Sequence, residues 1–313
     1  MSKQNPANTA ASVRQRLLNF ARQRKQEFQL VLIRYGAERL LYRLSRSGHG
    51  KRFVLKGAML FQLWTSQPHR STLDLDLLAE GAGEAVADFE DIFRDTCNEV
   101  VEDDGLAFDT ARIHGEQIRE DQRYHGVRIH IDAFLGSARI PLQIDIGFGD
   151  AVTPKAQEVE YPTLLSQPAP VLRAYPKETV VAEKWEAMVS LGIANSRMKD
   201  FYDLWVLSGK FDFDGALLAR AVRATFKRRG TDLPNVPPMA LTATFAGDPS
   251  KKAQWSAFVK RAKLATAAPP FEKIVEYLAT FLWPPAEALG TGTPFELQWP
   301  AGGPWTQDRP INA

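Results

Sequence analysis

Residues 53–78 read FVLKGAMLFQLWTSQPHRSTLDLDLL, a stretch that ends with two aspartates, Asp74 and Asp76, separated by one leucine. Side chains alternate between the faces of a strand, so both carboxylates share one face while Leu73, Leu75 and Leu77 share the other. Two anions this close repel each other, and such a pair is tolerated at a solvated edge or around a cation. Upstream, Lys56-Gly57 marks the junction between a short strand, RFVLK, and a helix, GAMLFQLW. A glycine at such a junction lets backbone N–H groups come close to a phosphate.

Farther along, LQIDIGF sets a third carboxylate, Asp145, among Leu142, Ile144 and Ile146 on another predicted strand. Three carboxylates on adjacent strands form the oxygen-rich set that Mg²⁺ requires, since this ion shares its ligands between carboxylates and substrate phosphates. The simpler explanation of Asp74 and Asp76 is an exposed edge strand; Gly57 before them and Asp145 after them favour the cation. Asp132, in IHIDAF, is the other candidate for third ligand, with a plain outer strand as its alternative reading, and Asp150 reads as a turn residue.

Around these motifs the pattern divides the chain. Val13, Leu17, Phe20 and Ala21, then Leu30, Ile33, Leu40, Leu41 and Leu44, recur at helical spacing. The helix EAVADFEDIFRDTCNEV follows the first carboxylate pair. Strand candidates LAFDTARIH, GVRIHIDAFL and RIPLQIDIGF come next, the last two joined by GSA as a hairpin. Beyond Gly149 a proline-bearing connection leads to helices at PKETVVAEKWEAMVSLGIA, RMKDFYDLWVLSG, DGALLARAVRATFKRRG and PPFEKIVEYLATFL. A Gly-, Pro- and Trp-rich stretch from Trp283 closes the chain. The expectation is an α+β architecture: a basic helical arm over residues 1–50 packed on the next domain, a core domain over 51–165, a helical domain over 166–285, and an extended tail over 286–313.

The 313 residues carry a formal net charge of +2, yet residues 1–52 hold twelve Lys and Arg against two acids, Glu27 and Glu38. A positive arm on a balanced body suits a polyanionic partner; a solvated amphipathic helix rich in arginine explains it equally well. The single cysteine, Cys97, excludes an intramolecular disulfide and points to a reducing compartment. With no apolar signal segment and no run long enough to span a membrane, a cytoplasmic location is expected. The five histidines show no zinc-ligand spacing with Cys97. There is no Walker or dinucleotide fingerprint.

The hydrophobic-glycine motif followed by Asp-hydrophobic-Asp resembles the signature of nucleotidyltransferases related to DNA polymerase beta. More narrowly, the chain resembles the AbiEii toxin branch, which includes the MenT toxins of toxin–antitoxin systems. Arg70 and Thr72 precede the carboxylate pair as in that branch, and a helical lysine, Lys184, is followed by RMKDFYDL with Arg197, Asp200 and Asp203. The resemblance covers roughly residues 50 to 210, and the IDIGFGD context favours Asp145 over Asp132.

That resemblance implies a polymerase-beta-like mixed sheet with flanking helices, then a mainly helical domain. It also implies transfer of a nucleotide from a nucleoside triphosphate, assisted by Mg²⁺ or Mn²⁺. Asp74 and Asp76 would hold the ion bridging the triphosphate, and Asp145 would complete a second position. Lys56, Gly57, Arg70 and Thr72 would contact the nucleotide. Lys184 and Arg197 would offset charge on departing pyrophosphate, with Asp200 or Asp203 orienting them. The implied acceptor is the 3′ end of tRNA, whose extension blocks aminoacylation, with a cognate antitoxin as partner and no membrane. The basic arm, FKRRG and KKAQWSAFVKRAK would track the RNA backbone. The alternatives are transfer to a protein or small-molecule hydroxyl, and a catalytically silent nucleotide- or RNA-binding module, to which Ala58 after the glycine points.

Overall fold

The computed structural model describes residues 6–65, 70, 72, 74–81, 85–121, 124–262, 264 and 267–307. Lys3, Leu73, Lys263 and residues 308–313, which enter the sequence reading, lie outside them. The chain forms two units, one of residues 1–149 with 157–174, the other of residues 150–156 with 175–313.

Unit 1 opens with α1 (Pro6–Gln23) and α2 (Phe28–Arg46). Then come β1 (Phe53–Lys56), α3 (Leu60–Thr65), β2 (Asp74–Ala79) and α4 (Val86–Asn98). The remaining strands are β3 (Leu106–Phe108), β4 (His114–Asp121), β5 (Tyr124–Leu135), β6 (Ala138–Phe148), β7 (Gln157–Glu160) and β8 (Val171–Ala174). They make one mixed sheet in the order β3-β5-β6-β2-β1-β8-β7, with β4 also beside β5. The β2/β6 and β1/β8 pairs are parallel and the others antiparallel.

Alternation decides which face is the core. Leu75 and Leu77 of β2, Ile144 and Ile146 of β6, and Val127, Ile129 and Ile131 of β5 are all buried. This face is covered by α2 packed on β6 and β8 and by α4 packed on β4 and β5. Phe89 and Phe93 of α4 meet Phe53, and Phe89 also meets Phe148. Each such side chain contributes about 1.5–3 kcal/mol on leaving water, so the apolar positions fix the register and turn the intervening polar ones to the opposite face.

The hairpin expected at GSA is present, with Leu135 paired to Ala138 across Gly136 and Ser137. Gly136 has φ +61°, a left-handed conformation that costs glycine little. Three strands depart from the sequence reading. LAFDTARIH is a strand only at β3, and β4 follows it in HGEQIRED, a polar edge strand without apolar alternation. β7 lies in the proline-bearing segment expected to be a plain connection, and β8 follows it at VLRA, to which no element was assigned.

In α2 the expected basic face is partly inward. Arg39 and Arg43 are buried, and both pair with the buried Asp104; Arg43 Nη1 and Nη2 contact its two oxygens at 2.6 and 3.1 Å. Arg34 donates to Gln26 and Gln62. Arg39 and Arg43 hold the helix onto the loop before β3, so these two of the twelve basic residues in 1–52 serve a structural role.

Unit 2 contains α5 (Lys177–Leu191), α6 (Met198–Lys210), β9 (Phe213–Asp214) and α7 (Gly215–Arg229). It continues with α8 (Ala243–Gly247), α9 (Pro249–Ala262), α10 (Phe271–Thr291) and β10 (Gln298–Trp299). Together the units give the expected class: a mixed α+β structure with a mixed sheet and a helical C-terminal region.

Trp185, Phe201, Phe245, Phe271, Phe281 and Trp299 are buried in unit 2. Trp299 donates from Nε1 to the Ser208 carbonyl at 2.8 Å and pairs through β10 with β9. Where the sequence reading ends the last helix at Leu282, α10 runs on through Pro284 and Pro285 to Thr291. The buried Phe281 packs there against Trp299 and Trp305, so tertiary burial holds a turn that proline alone would break.

Asp150, read as a turn residue, is instead an ion-pair partner of Arg229 at 3.3 Å, with Glu186 on the same guanidinium at 2.8 Å. No helix is long and apolar enough to cross a membrane among the described residues.

Candidate active site

The polar face of the unit 1 sheet carries the first group of expected site residues. Strand register puts Lys56 opposite Asp76, Asp76 opposite Asp145, and Asp145 opposite Arg128. Residues directly paired across strands share a face. The row across β1, β2, β6 and β5 therefore reads Lys, Asp, Asp, Arg. The next row on that face places Asp74 opposite Gln143 and Gln143 opposite His130.

Gly57 follows Lys56 directly and begins a short 3₁₀ turn into α3. Its φ is +74°, and a Cβ built on it would lie 1.9 Å from Asp76 Oδ2. Both the backbone angle and the nearby carboxylate therefore exclude a side chain here. Thr72 and Arg70 are half-buried just before β2, with Thr72 Oγ1 3.5 Å from the Asp74 carbonyl, at the limit of a hydrogen bond.

Arg128, which the sequence reading passed over, is the residue that contacts Asp145. Its Nε and Nη2 each donate to one carboxylate oxygen at 2.8 Å, and Gln143 Nε2 donates to both at 3.2 and 3.4 Å. Its hydrogen bonds to Asp145 raise the Arg128 pKa against a smaller opposing effect of burial, so the guanidinium stays charged. Asp132, the alternative third carboxylate, is taken by Arg139 at 2.9 Å.

The donor chemistry suits a hard divalent cation, because carboxylates from two adjacent strands lie on one face beside a glycine turn. With both Asp145 oxygens on Arg128, however, no group of three or more His, Cys, Asp or Glu side chains is arranged to hold an ion among the described residues.

Unit 2 holds the second group. Lys184 of α5 contacts Asp200 at 2.6 Å and Asp203 at 2.9 Å, and Arg197 Nε lies 2.8 Å from Asp200 Oδ2. Asp200 and Asp203 are each 1% exposed and sit on the first turns of α6. Burial pushes the Asp200 pKa up, but Lys184 and Arg197 outweigh it and hold the carboxyl below its ordinary value. Both aspartates thus engage Lys184, and Asp200 also engages Arg197.

Other cationic stretches are partly structural. In FKRRG, Arg229 is committed to acids. In KKAQWSAFVKRAK, Lys251 is buried and donates to the Asn195 carbonyl at 2.8 Å, and Lys252 pairs with Glu272. Lys227, Lys260 and Arg261 remain exposed. Burial pushes the Cys97 thiol up to about 12, which disfavours the reactive thiolate.

Two solved structures from Helicobacter pylori are similar to the chain. One is a protein described as a nucleotidyltransferase, with 14% identity and a TM-score of 0.47, covering 82% of this chain and 95% of its own. The other is JHP933, also at 14% identity and TM-score 0.47, covering 81% and 90%. No curated protein matches the chain. The family described as "Nucleotidyl transferase AbiEii toxin, Type IV TA system" matches residues 39–277, which take in the glycine turn, all three strand carboxylates and the Lys184 cluster. On that match over most of its length, the chain belongs to the AbiEii nucleotidyltransferase toxin family.

Proposed function

We propose that this protein transfers a nucleotide from a nucleoside triphosphate to the 3′ end of tRNA, as the toxin of a toxin–antitoxin pair. The observation that carries the reading is the row Lys56, Asp76, Asp145 and Arg128 on one sheet face, with Asp74 beside it and Gly57 against Asp76. Asp74, Asp76 and Asp145 would hold Mg²⁺ or Mn²⁺, which when bound neutralises phosphate charge and polarises the reacting phosphorus.

The chain's own groups account for the remaining steps. Gly57 leaves the backbone open to the triphosphate, while Lys56, Arg70 and Thr72 contact phosphate oxygens. The acceptor hydroxyl gives up its proton to solvent and attacks the α-phosphorus, the bond to the β-phosphate breaks, and pyrophosphate leaves. By family resemblance, Lys184 and Arg197 oppose the charge on the leaving group, and Asp200 and Asp203 keep them ionised and in place.

The sequestration of Arg39, Arg43, Arg229 and Lys251 in structural contacts favours a second reading, in which the acceptor is a protein or small-molecule hydroxyl. One experiment separates the two. The protein is given α-labelled nucleoside triphosphates, Mg²⁺ and a mixture of tRNA, protein and metabolites, and the label is traced. Label at tRNA 3′ ends, lost in Asp74→Ala and Lys184→Ala, is the expected result. Label on protein or metabolite alone supports the second reading. Labelling unchanged in both variants contradicts the residue assignment.

A further inference from the structure

Asp76 and Asp145 are direct neighbours on parallel strands, and neighbouring strands lie only about 4.8 Å apart. Two carboxylates at that spacing need a positive charge whether or not an ion is bound. The row supplies one at each end, Lys56 beyond Asp76 and Arg128 beyond Asp145. Arg128 does so in the strongest available form, a two-point contact that uses both oxygens of Asp145 at 2.8 Å. The pair is partly shielded, with side chains 31% and 17% exposed. Gln143 closes the remaining approach to the same two oxygens.

An ordinary cross-strand ion pair explains the contact if Asp145 has no other partner. Asp145, however, shares a row with Asp76 and a face with Asp74. An ion coordinated by this trio would have to approach Asp145 oxygens that already accept from the guanidinium and from Gln143.

We propose that Arg128 is the resident counter-ion of Asp145 and that a divalent cation competes with it for the same two carboxylate oxygens. This rests on the reading of the face as a cation-dependent transfer site. Arg128 is thereby a positioning residue. It keeps the carboxylate row neutral enough to fold and lowers the row's affinity for a cation alone. It yields Asp145 only when cation binding is strong enough to displace it. Once displaced, the guanidinium is a two-point donor beside the row, suited to a phosphate oxygen pair.

The test is titration of the full-length protein with Mn²⁺ alone, followed by electron paramagnetic resonance, with folding checked by circular dichroism. Arg128→Gln is expected to bind Mn²⁺ about tenfold tighter than wild type, because a fixed positive charge next to the ion is gone. Arg128→Lys, which keeps the charge but loses the fork, is expected between the two and guards against a fold defect in the glutamine variant. Adding Asp145→Asn to Arg128→Gln is expected to abolish the gain. Equal or weaker Mn²⁺ binding by a folded Arg128→Gln, with wild-type binding intact, overturns the competition alone. If neither wild type nor Arg128→Gln binds more Mn²⁺ than an Asp74→Asn, Asp76→Asn double variant, the cation reading of the face fails as well.

Discussion

At the scale of single residues, Gly57 is the position that least tolerates change. Alanine there meets both a left-handed backbone, costing about 1–2 kcal/mol, and the Asp76 carboxylate 1.9 Å from its Cβ. Gly57→Ala is therefore expected to lower the melting temperature by a few degrees and nucleotide transfer by about a hundredfold or more. Calorimetry and an end-labelling assay read the two effects.

Glu38 offers a pH-dependent test of the core. Burial pushes its pKa up from 4.5 to about 7, against the opposing Leu164 N–H and Arg39. A raised carboxylate binds its proton more tightly in the folded state. Its stabilising contribution is complete below about pH 4.5 and is lost as the pH climbs through 7. The difference in stability between wild type and Glu38→Gln should fall by about 3 kcal/mol across that window. Urea denaturation at pH 4.5 and pH 8 measures it, and a flat difference would refute the burial argument. Asp74 and Asp76 were legible because Asp-Leu-Asp carries its own face assignment, while Lys184, Arg197, Asp200 and Asp203 were found through the family resemblance. Arg128 was not, because GVRIHIDAF reads as an outer strand and nothing local marks its arginine.

At the scale of elements, that omission has a geometric remedy in the sequence. A two-residue hairpin fixes register. Seven steps back from Leu135 and seven forward from Ala138 meet at Arg128 and Asp145. Locating the turn at Gly136-Ser137 was therefore enough to find the partner of the third carboxylate. The missed strands have a different cause. HGEQIRED, QEVE and VLRA are edge or near-edge segments whose pairing comes from β5, β8 and β1 rather than from their own apolar pattern. Propensity also failed at α10, where two prolines sit inside a helix held by aromatic packing. Pro284→Ala restores a backbone donor and removes ring crowding against the preceding turn. It is expected to stabilise the protein by about 1–3 kcal/mol, seen as a higher denaturation midpoint with an unchanged slope. A lower midpoint would show that the proline ring is a needed packing element.

At the scale of the whole molecule, the two textures of chain were legible, strands first and helices after, but net charge was a poor guide to where charge is available. Arg43 and Lys260 illustrate the difference: one is buried on Asp104, the other exposed on α9. Arg43→Ala leaves a buried carboxylate short of its two-point partner and should cost about 3 kcal/mol of stability. On the proposed tRNA reading, it should leave the salt dependence of RNA binding unchanged. Replacing Lys260 and Arg261 together should instead leave stability intact and flatten the logarithmic salt slope by about 1.4 to 2, roughly 0.7 to 1 for each cation. Filter binding over a range of salt concentrations distinguishes them, and a reversed pattern would contradict the division into structural and exposed cations.

The central claim is that the carboxylate face of the unit 1 sheet performs nucleotidyl transfer. Single-turnover release of pyrophosphate, with Mg²⁺ and tRNA present, reads that chemistry without presupposing which base is added. Wild type is predicted to release one pyrophosphate per nucleotide incorporated, and Asp76→Asn to be slower by about a hundredfold or more. Equal release by the two proteins would place the reaction elsewhere and contradict the account.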